Sequence, residues 1–170
     1  MAAARALAGE GGMGSVQIAA VAERAGIAAG TVYRYFPSKT ELVAALVAGV
    51  AEREVAAIRQ AAVMAPGPLS ALAAAIIVFA ARAVRARRLA LAVLAEPAEA
   101  HGDPPGLYYR HALVAEFEPR IRAAIAGGHL PDQDPTRAAA AVVGLLIEGL
   151  LGPLAPRAAH EGERLSLIHI

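Results

Sequence analysis

Glycine and proline recur in clusters along this chain, at Gly9 to Gly14, Gly26, Pro37, Pro66-Gly67-Pro68, Pro97 to Pro105 and Gly127-Gly128, and nothing else limits its fold so strongly. Both residues interrupt helices, glycine through backbone freedom and proline through its missing N–H. The segments between them are rich in alanine, the best helix former, and poor in the aromatics that sheets favour. Hydrophobic residues make up 57% of the chain but aromatics only 4%. The expected fold class is therefore all-α, three short helices followed by five others. The first ends in Gly9 to Gly14, the second at Gly26 and the third at Pro37-Ser38. A fourth runs from about Ser38 to Ala62 and a fifth from Leu69 into the Arg82-to-Arg88 cluster. A sixth short helix and a loop are punctuated by Pro97, Gly102 and Pro104-Pro105. The seventh spans about Gly106 to Ala126, and Asp134-Pro135 opens the eighth with a capping Asp and an N1 proline. No internal repeat is visible.

A chain of 170 residues forms one domain, or one domain with a small head, and is long enough to bury a core. Net charge is +1 with signs interspersed, so any nucleic-acid binding must come from a local patch. The chain has no cysteine, which excludes disulfides, thiolate metal sites and a cysteine nucleophile, and fits a cytoplasmic location. No secretory signal opens it. Leu69 to Ala81 is charge-free but falls short of the roughly 20 residues a membrane span needs. Ala138 to Leu151 is interrupted by Glu148 and Gly149. Both read as buried helices of a soluble bundle, with no membrane partner.

Three aromatics and two cations crowd into TVYRYFPSKTEL, Thr31 to Leu42. Just before it, Ile18, Val21, Ala22 and Ala25 form an apolar stripe at helical spacing, with Gln17, Glu23 and Arg24 facing away. Gly26 suits the left-handed position that ends a helix. In the next helix, Ala28 to Phe36, Val32 and Phe36 point inward. Thr31, Arg34 and Tyr35 are left on the outer face and Tyr33 on its flank. Two short helices joined by a glycine turn, the second bearing hydrogen-bonding groups outward, suit a helix-turn-helix that offers its second helix to the DNA major groove. A plain helical hairpin with half-buried tyrosines remains the alternative on periodicity alone.

Ser38-Lys39-Thr40-Glu41 reads as a capping box, with Pro37 and Leu42 placed for a hydrophobic staple. Lys39 at N1 opposes the helix dipole at a cost of roughly 0.3 to 1 kcal/mol. A DNA phosphate at that helix end would remove the conflict. An exposed lysine without a role is the alternative.

The stretch from Met1 to Val47, and especially VAERAGIAAGTVYRYFPSKTELVAAL (Val21 to Leu46), resembles the DNA-binding head of the TetR family of transcriptional regulators. GHLPDQDPTRAAAAVVGLL, Gly128 to Leu146, resembles the family's junction between its seventh and eighth helices. The resemblance implies a three-helix DNA-binding head over residues 1–47, continuing into the fourth helix, then an antiparallel helical bundle over residues 48–164 for ligand binding and dimerisation. It also implies that Thr31, Tyr33, Arg34, Tyr35 and Lys39 contact operator DNA. Ser15 matches a phosphate-contacting cap of the second helix, and Gly30 the closest approach to DNA. The first helix is shorter than the family's and lacks a basic arm.

The function so implied is a ligand-responsive regulator, a repressor that binds palindromic double-stranded DNA as a homodimer and is released by a small lipophilic inducer. It is not an enzyme, and no cofactor is implied. Few large residues among many alanines predict an internal pocket, with candidate walls Phe79, Leu94, Tyr108, Tyr109, His111 and Phe117. Val142, Val143, Leu146 and Leu150 form the eighth helix's candidate dimer stripe. The end, LSLIHI (residues 165–170), breaks the style of the chain and reads as an atypical tail on a body cut short of most of its ninth helix. The competing function is a helical small-molecule or lipid-binding module without a DNA role, which leaves the crowded Thr31, Arg34, Tyr35 and Lys39 unexplained.

Other signals carry less. Gly9 to Gly14 satisfies G-x-G-x-x-G without a preceding strand and reads as a loop. His101, His111, His129, His160 and His169 show no metal spacing. Arg82, Arg85, Arg87 and Arg88 end the fifth helix, where cations complement the dipole. Glu148 reads as exposed at a seam, since burying it unpaired would be costly.

Overall fold

A computed structural model describes residues 1–94 and 105–152, and over these the chain is all-α. Eight helices are seen among the described residues: α1 (Ala2–Gly11), α2 (Ile18–Ala25), α3 (Ala29–Tyr35), α4 (Lys39–Val63), α5 (Pro68–Arg85), α6 (Arg87–Leu94), α7 (Pro105–Ala126) and α8 (Pro135–Leu151). Helices α1 to α3 share a buried apolar cluster with Leu42 and Val43 at the start of α4, and α4 to α8 form the body.

Local chemistry sets most of the boundaries. Gly26 takes the left-handed conformation (φ 68°) and closes α2, as its lack of a Cβ allows. Ser38 Oγ accepts the Glu41 N–H at 3.1 Å, capping α4. Asp134 Oδ1 accepts from Thr136 and Arg137 at 2.9 and 3.1 Å, ahead of Pro135 at N1.

The body is held by rows spaced four residues apart. On α7, Tyr109, Leu113, Phe117 and Ile121 are buried; on α8, Ala139, Val143, Ile147 and Leu151 are buried, and the two helices pack together. Such i±4 ridges seat in the grooves of a neighbouring helix. One carboxylate lies inside: Glu116, 6% exposed, bonds Arg59 at 2.8 Å and Arg120 at 2.7 Å, tying α4 to α7. A buried charge so paired escapes the penalty of an isolated one.

Three expectations are corrected. Ala86 is the corner between α5 and α6, so Arg87 and Arg88 open α6 instead of ending α5. Ala25, expected on the buried stripe of α2, is exposed. The third concerns the apolar run Leu69 to Ala81, expected to be too short for a membrane span: α5 as a whole is the one described helix long and apolar enough to cross a membrane by length and composition. Its stripe of Leu72, Ala75, Phe79 and Ala83 packs into the bundle, but Leu69, Ile77 and Val84 are exposed. Glu148 is exposed, as expected. The proposed short ninth helix, the 165–170 tail, His101, His160 and His169 lie outside the described residues.

Candidate nucleic-acid interface

The head presents its large side chains outward. Tyr33 is 54% exposed and Tyr35 68%, and Arg34 is exposed between them. The Arg34 guanidinium carbon stands 5.4 Å from the Tyr35 ring centroid, a cation–π distance that orients it along the helix face. Thr31 is half-buried, while Val32 beneath it is buried in the head's core. The alternative of half-buried tyrosines is not what this head adopts.

Gly30 has an ordinary helical backbone, since only Gly12, Gly26 and Gly128 among the described glycines have positive φ. A Cβ there would meet no atom within 4 Å outside the chain neighbours and the helix's own backbone. Alanine would suit the helix better by up to about 1 kcal/mol. Nothing among the described residues therefore asks for glycine, whereas a surface approaching from outside would.

Lys39 stands at N1 of α4, half-buried, next to the Ser38 cap. Only half of the predicted box forms: Ser38 caps the Glu41 N–H, while the Glu41 carboxylate meets the Ser38 hydroxyl at 3.4 Å.

Ser15 is corrected. Met13 to Ser15 form a 3-10 turn and Val16 is fully buried, so α2 cannot start before Gln17, its N-cap. The Ser15 hydroxyl turns inward, 2.8 Å from the Leu7 carbonyl and 2.7 Å from that of Gly12. Exposed Gln17, whose amide donates to Gly14 O at 2.9 Å, holds the position expected of Ser15. Its place immediately before the apolar period of α2 was the available signal.

In the body, Phe79, Leu94 and Tyr109 line one cavity with Val50, Leu89 and Val93, and Arg82 and Glu54 form its polar end. Arg82 donates to Glu54 at 2.5 and 2.9 Å. Burial pushes the Tyr109 phenol well above its ordinary range. Tyr108 and His111 are exposed, and Phe117 is solid core away from the cavity. The cavity holds about 30 Å³, room for one or two waters. The expected roomy pocket is thus closed here, because the aliphatic rows of α5, α6 and α7 draw together.

On α8, Val143 belongs to the core, and Val142, Leu146 and Leu150 are half-buried against it. The open face is Ala141, Gly144, Leu145 and Glu148, with Leu145 74% exposed. Among the described residues no group of three His, Asp or Glu could hold a metal.

A glycine-turned pair of short helices with an outward aromatic and cationic face, mounted on a helical bundle, defines the class: a helix-turn-helix protein. Residues 1–46 match the family model for bacterial regulatory proteins of the tetR family. The HTH-type transcriptional repressor KstR of Rhodococcus jostii is 56% identical over 48 residues, 28% of this chain and 23% of that protein. KstR of Mycobacterium tuberculosis is 56% identical over 41 residues, 24% of this chain and 19% of that protein. The matched stretch is thus about a quarter of these relatives' length or less. Solved structures extend the likeness in fold. FadR from Bacillus subtilis, a transcriptional regulator in complex with stearoyl-CoA, superposes with TM-score 0.67 at 16% identity, over 87% of this chain and 96% of that one. PfmR, a TetR family regulator from Thermus thermophilus, gives 0.65 at 19% identity over 87% and 82%. The likeness to the tetR family is thus one of sequence over residues 1–46 and one of fold over most of the chain.

Proposed function

We propose that this protein is a DNA-binding transcriptional repressor, not an enzyme, that acts in the cytoplasm as a homodimer on a palindromic operator and is released by a lipophilic ligand. One observation carries the reading: the face of α3 that a major groove would meet is built from exposed Tyr33, Arg34 and Tyr35 beside a glycine, Gly30, that nothing among the described residues requires. In this reading residues 1–47 are the DNA-binding unit. Arg34 and Thr31 reach base edges, the tyrosines and Lys39 hold phosphates, and Gln17 joins them at the N-cap of α2 in place of Ser15. Two-fold symmetry places the half-sites about 34 Å, or a multiple, apart.

The likeness to KstR over the head supports repression. The likeness in fold to FadR, solved with stearoyl-CoA, supports a lipophilic ligand. Ligand pockets usually measure about 300 to 1,000 Å³, so the body must open around Phe79, Leu94 and Tyr109 to admit one. A ligand held by the open form and DNA held by the closed form antagonise each other by linkage. For the dimer, Leu145 with Ala141, Gly144 and Glu148 replaces the stripe expected from sequence. A helical lipid-binding module without a DNA role is the weaker reading, since it leaves the exposed Tyr33, Arg34 and Tyr35 without a purpose.

A mobility-shift assay on the DNA flanking the protein's own gene tests the proposal. A discrete complex that resists excess random DNA is expected. Equal competition by random DNA would contradict it.

A further inference from the structure

The head meets the body in two ways. α4 runs unbroken from one to the other, and α1 packs along α6. α2 and α3 pack against each other and α2 against α1, with no contact of comparable extent to α5, α6, α7 or α8. The attitude of the helix-turn-helix is therefore set by the α4 stem and by the seat of α1 on α6.

Gly9 and Glu10 of α1 meet Arg88 and Leu89 of α6 in that seat. Leu89 Cβ of α6 lies 3.9 Å from where a Cβ on Gly9 would stand, ordinary van der Waals contact, so the two helices run close together at this point. Arg88 donates to the carbonyl of Glu10 at 3.5 Å, in the last turn of α1, where backbone acceptors lack helical partners and carry the negative end of the dipole. The carboxylate of the same Glu10 accepts two bonds from Arg24 of α2, at 2.5 and 2.6 Å. An exposed pair of this kind adds little stability. Its forked geometry does fix direction. On the other side, Leu89 lines the body's cavity with Val93, Leu94 and Tyr109.

We propose that Glu10 is the positioning residue through which the body sets the attitude of the helix-turn-helix: α6 grips its carbonyl, α2 grips its carboxylate, and a displacement of Leu89 from within the cavity is delivered to α2 and α3. The inference rests on the ligand-responsive reading above and adds the joint that reading needs.

Amide hydrogen exchange over residues 18–35 of the full chain tests it without any ligand. Arg88→Gln and Leu89→Ala should each raise exchange in α2 and α3 several-fold while Glu10 is intact. Once Glu10→Gln has released Arg24, the same changes should add little. The swapped pair Glu10→Arg with Arg24→Glu should restore the response. Arg59→Gln, across the body against Glu116, should loosen α7 and leave residues 18–35 unchanged. If Leu89→Ala unfolds the chain, the exposed Arg88→Gln carries the comparison. Exchange in α2 and α3 that ignores the α6 changes, or responds equally with and without the Glu10 carboxylate, would overturn the proposal. Operator affinity measured alongside separates the two ideas. A coupled head that binds no specific DNA would sink the repressor reading and keep the joint, and specific binding with an uncoupled head would do the reverse.

Discussion

Head and body use their large side chains in opposite senses. In the head, Tyr33 and Tyr35 point to solvent around a core of small and aliphatic residues such as Ala4, Ala8 and Val32. In the body, Phe79, Tyr109 and Phe117 are all buried. An aromatic left in water costs stability compared with one inside, so the head's arrangement calls for an external partner, whereas of the body's aromatics Tyr108 alone is left exposed. The comparisons divide the same way. Relatives match the head at 56% sequence identity, while solved structures match 87% of the chain in shape at low identity. Reading bases needs particular side chains at particular places, whereas packing needs only volume and apolarity.

The largest expected effect falls on the body. Phe117→Ala should destabilise the chain by about 3 to 5 kcal/mol, the usual cost of emptying an aromatic site in a core, and urea denaturation measures it. Arg34→Ala should leave stability within about 0.5 kcal/mol and cost about 1 to 3 kcal/mol of binding to cognate DNA, relaxing preference at one base position. Equal losses on cognate and random DNA would move Arg34 to the phosphate contacts. A Phe117→Ala protein that stays folded and keeps its Tm would break the contrast from the other side.

The same contrast decides what could be read from the sequence. Caps are local, so Ser38 and Asp134 were legible from one residue and its neighbours. The outward face of α3 was legible too, because Val32 alone fixes its phase. Ser15 was misplaced because the 3-10 turn at Met13 to Ser15 and the burial of Val16 arise from packing under α1. In the body, α7 offers Tyr108, Tyr109, His111, Leu113 and Phe117 in close succession, and several phases look apolar. Only contact with α4, α5 and α8 selects the row through Tyr109 and Phe117 and turns Tyr108 and His111 outward. Val143 was assigned to the dimer stripe for the same reason.

Gly30→Ala sharpens the comparison because its two effects have opposite signs. The helix should gain up to about 1 kcal/mol, read as a higher Tm, while the added methyl stands between α3 and DNA and weakens operator binding. A gain in both would show that nothing approaches Gly30. The smallest effect is expected at Lys39. Lys39→Ala should weaken binding to all DNA alike and lower the slope of log affinity against log salt by roughly 0.9 per protomer, one phosphate contact. An unchanged slope would remove Lys39 from the interface.

The most direct measurement is amide hydrogen exchange across the whole chain, free and bound to the operator duplex. The account predicts new protection concentrated between Gln17 and Glu41, across α2, α3 and the start of α4, with the cores of α5, α7 and α8 unchanged in pattern. Protection centred on the body, or none in α3 at DNA concentrations that saturate binding, would contradict it.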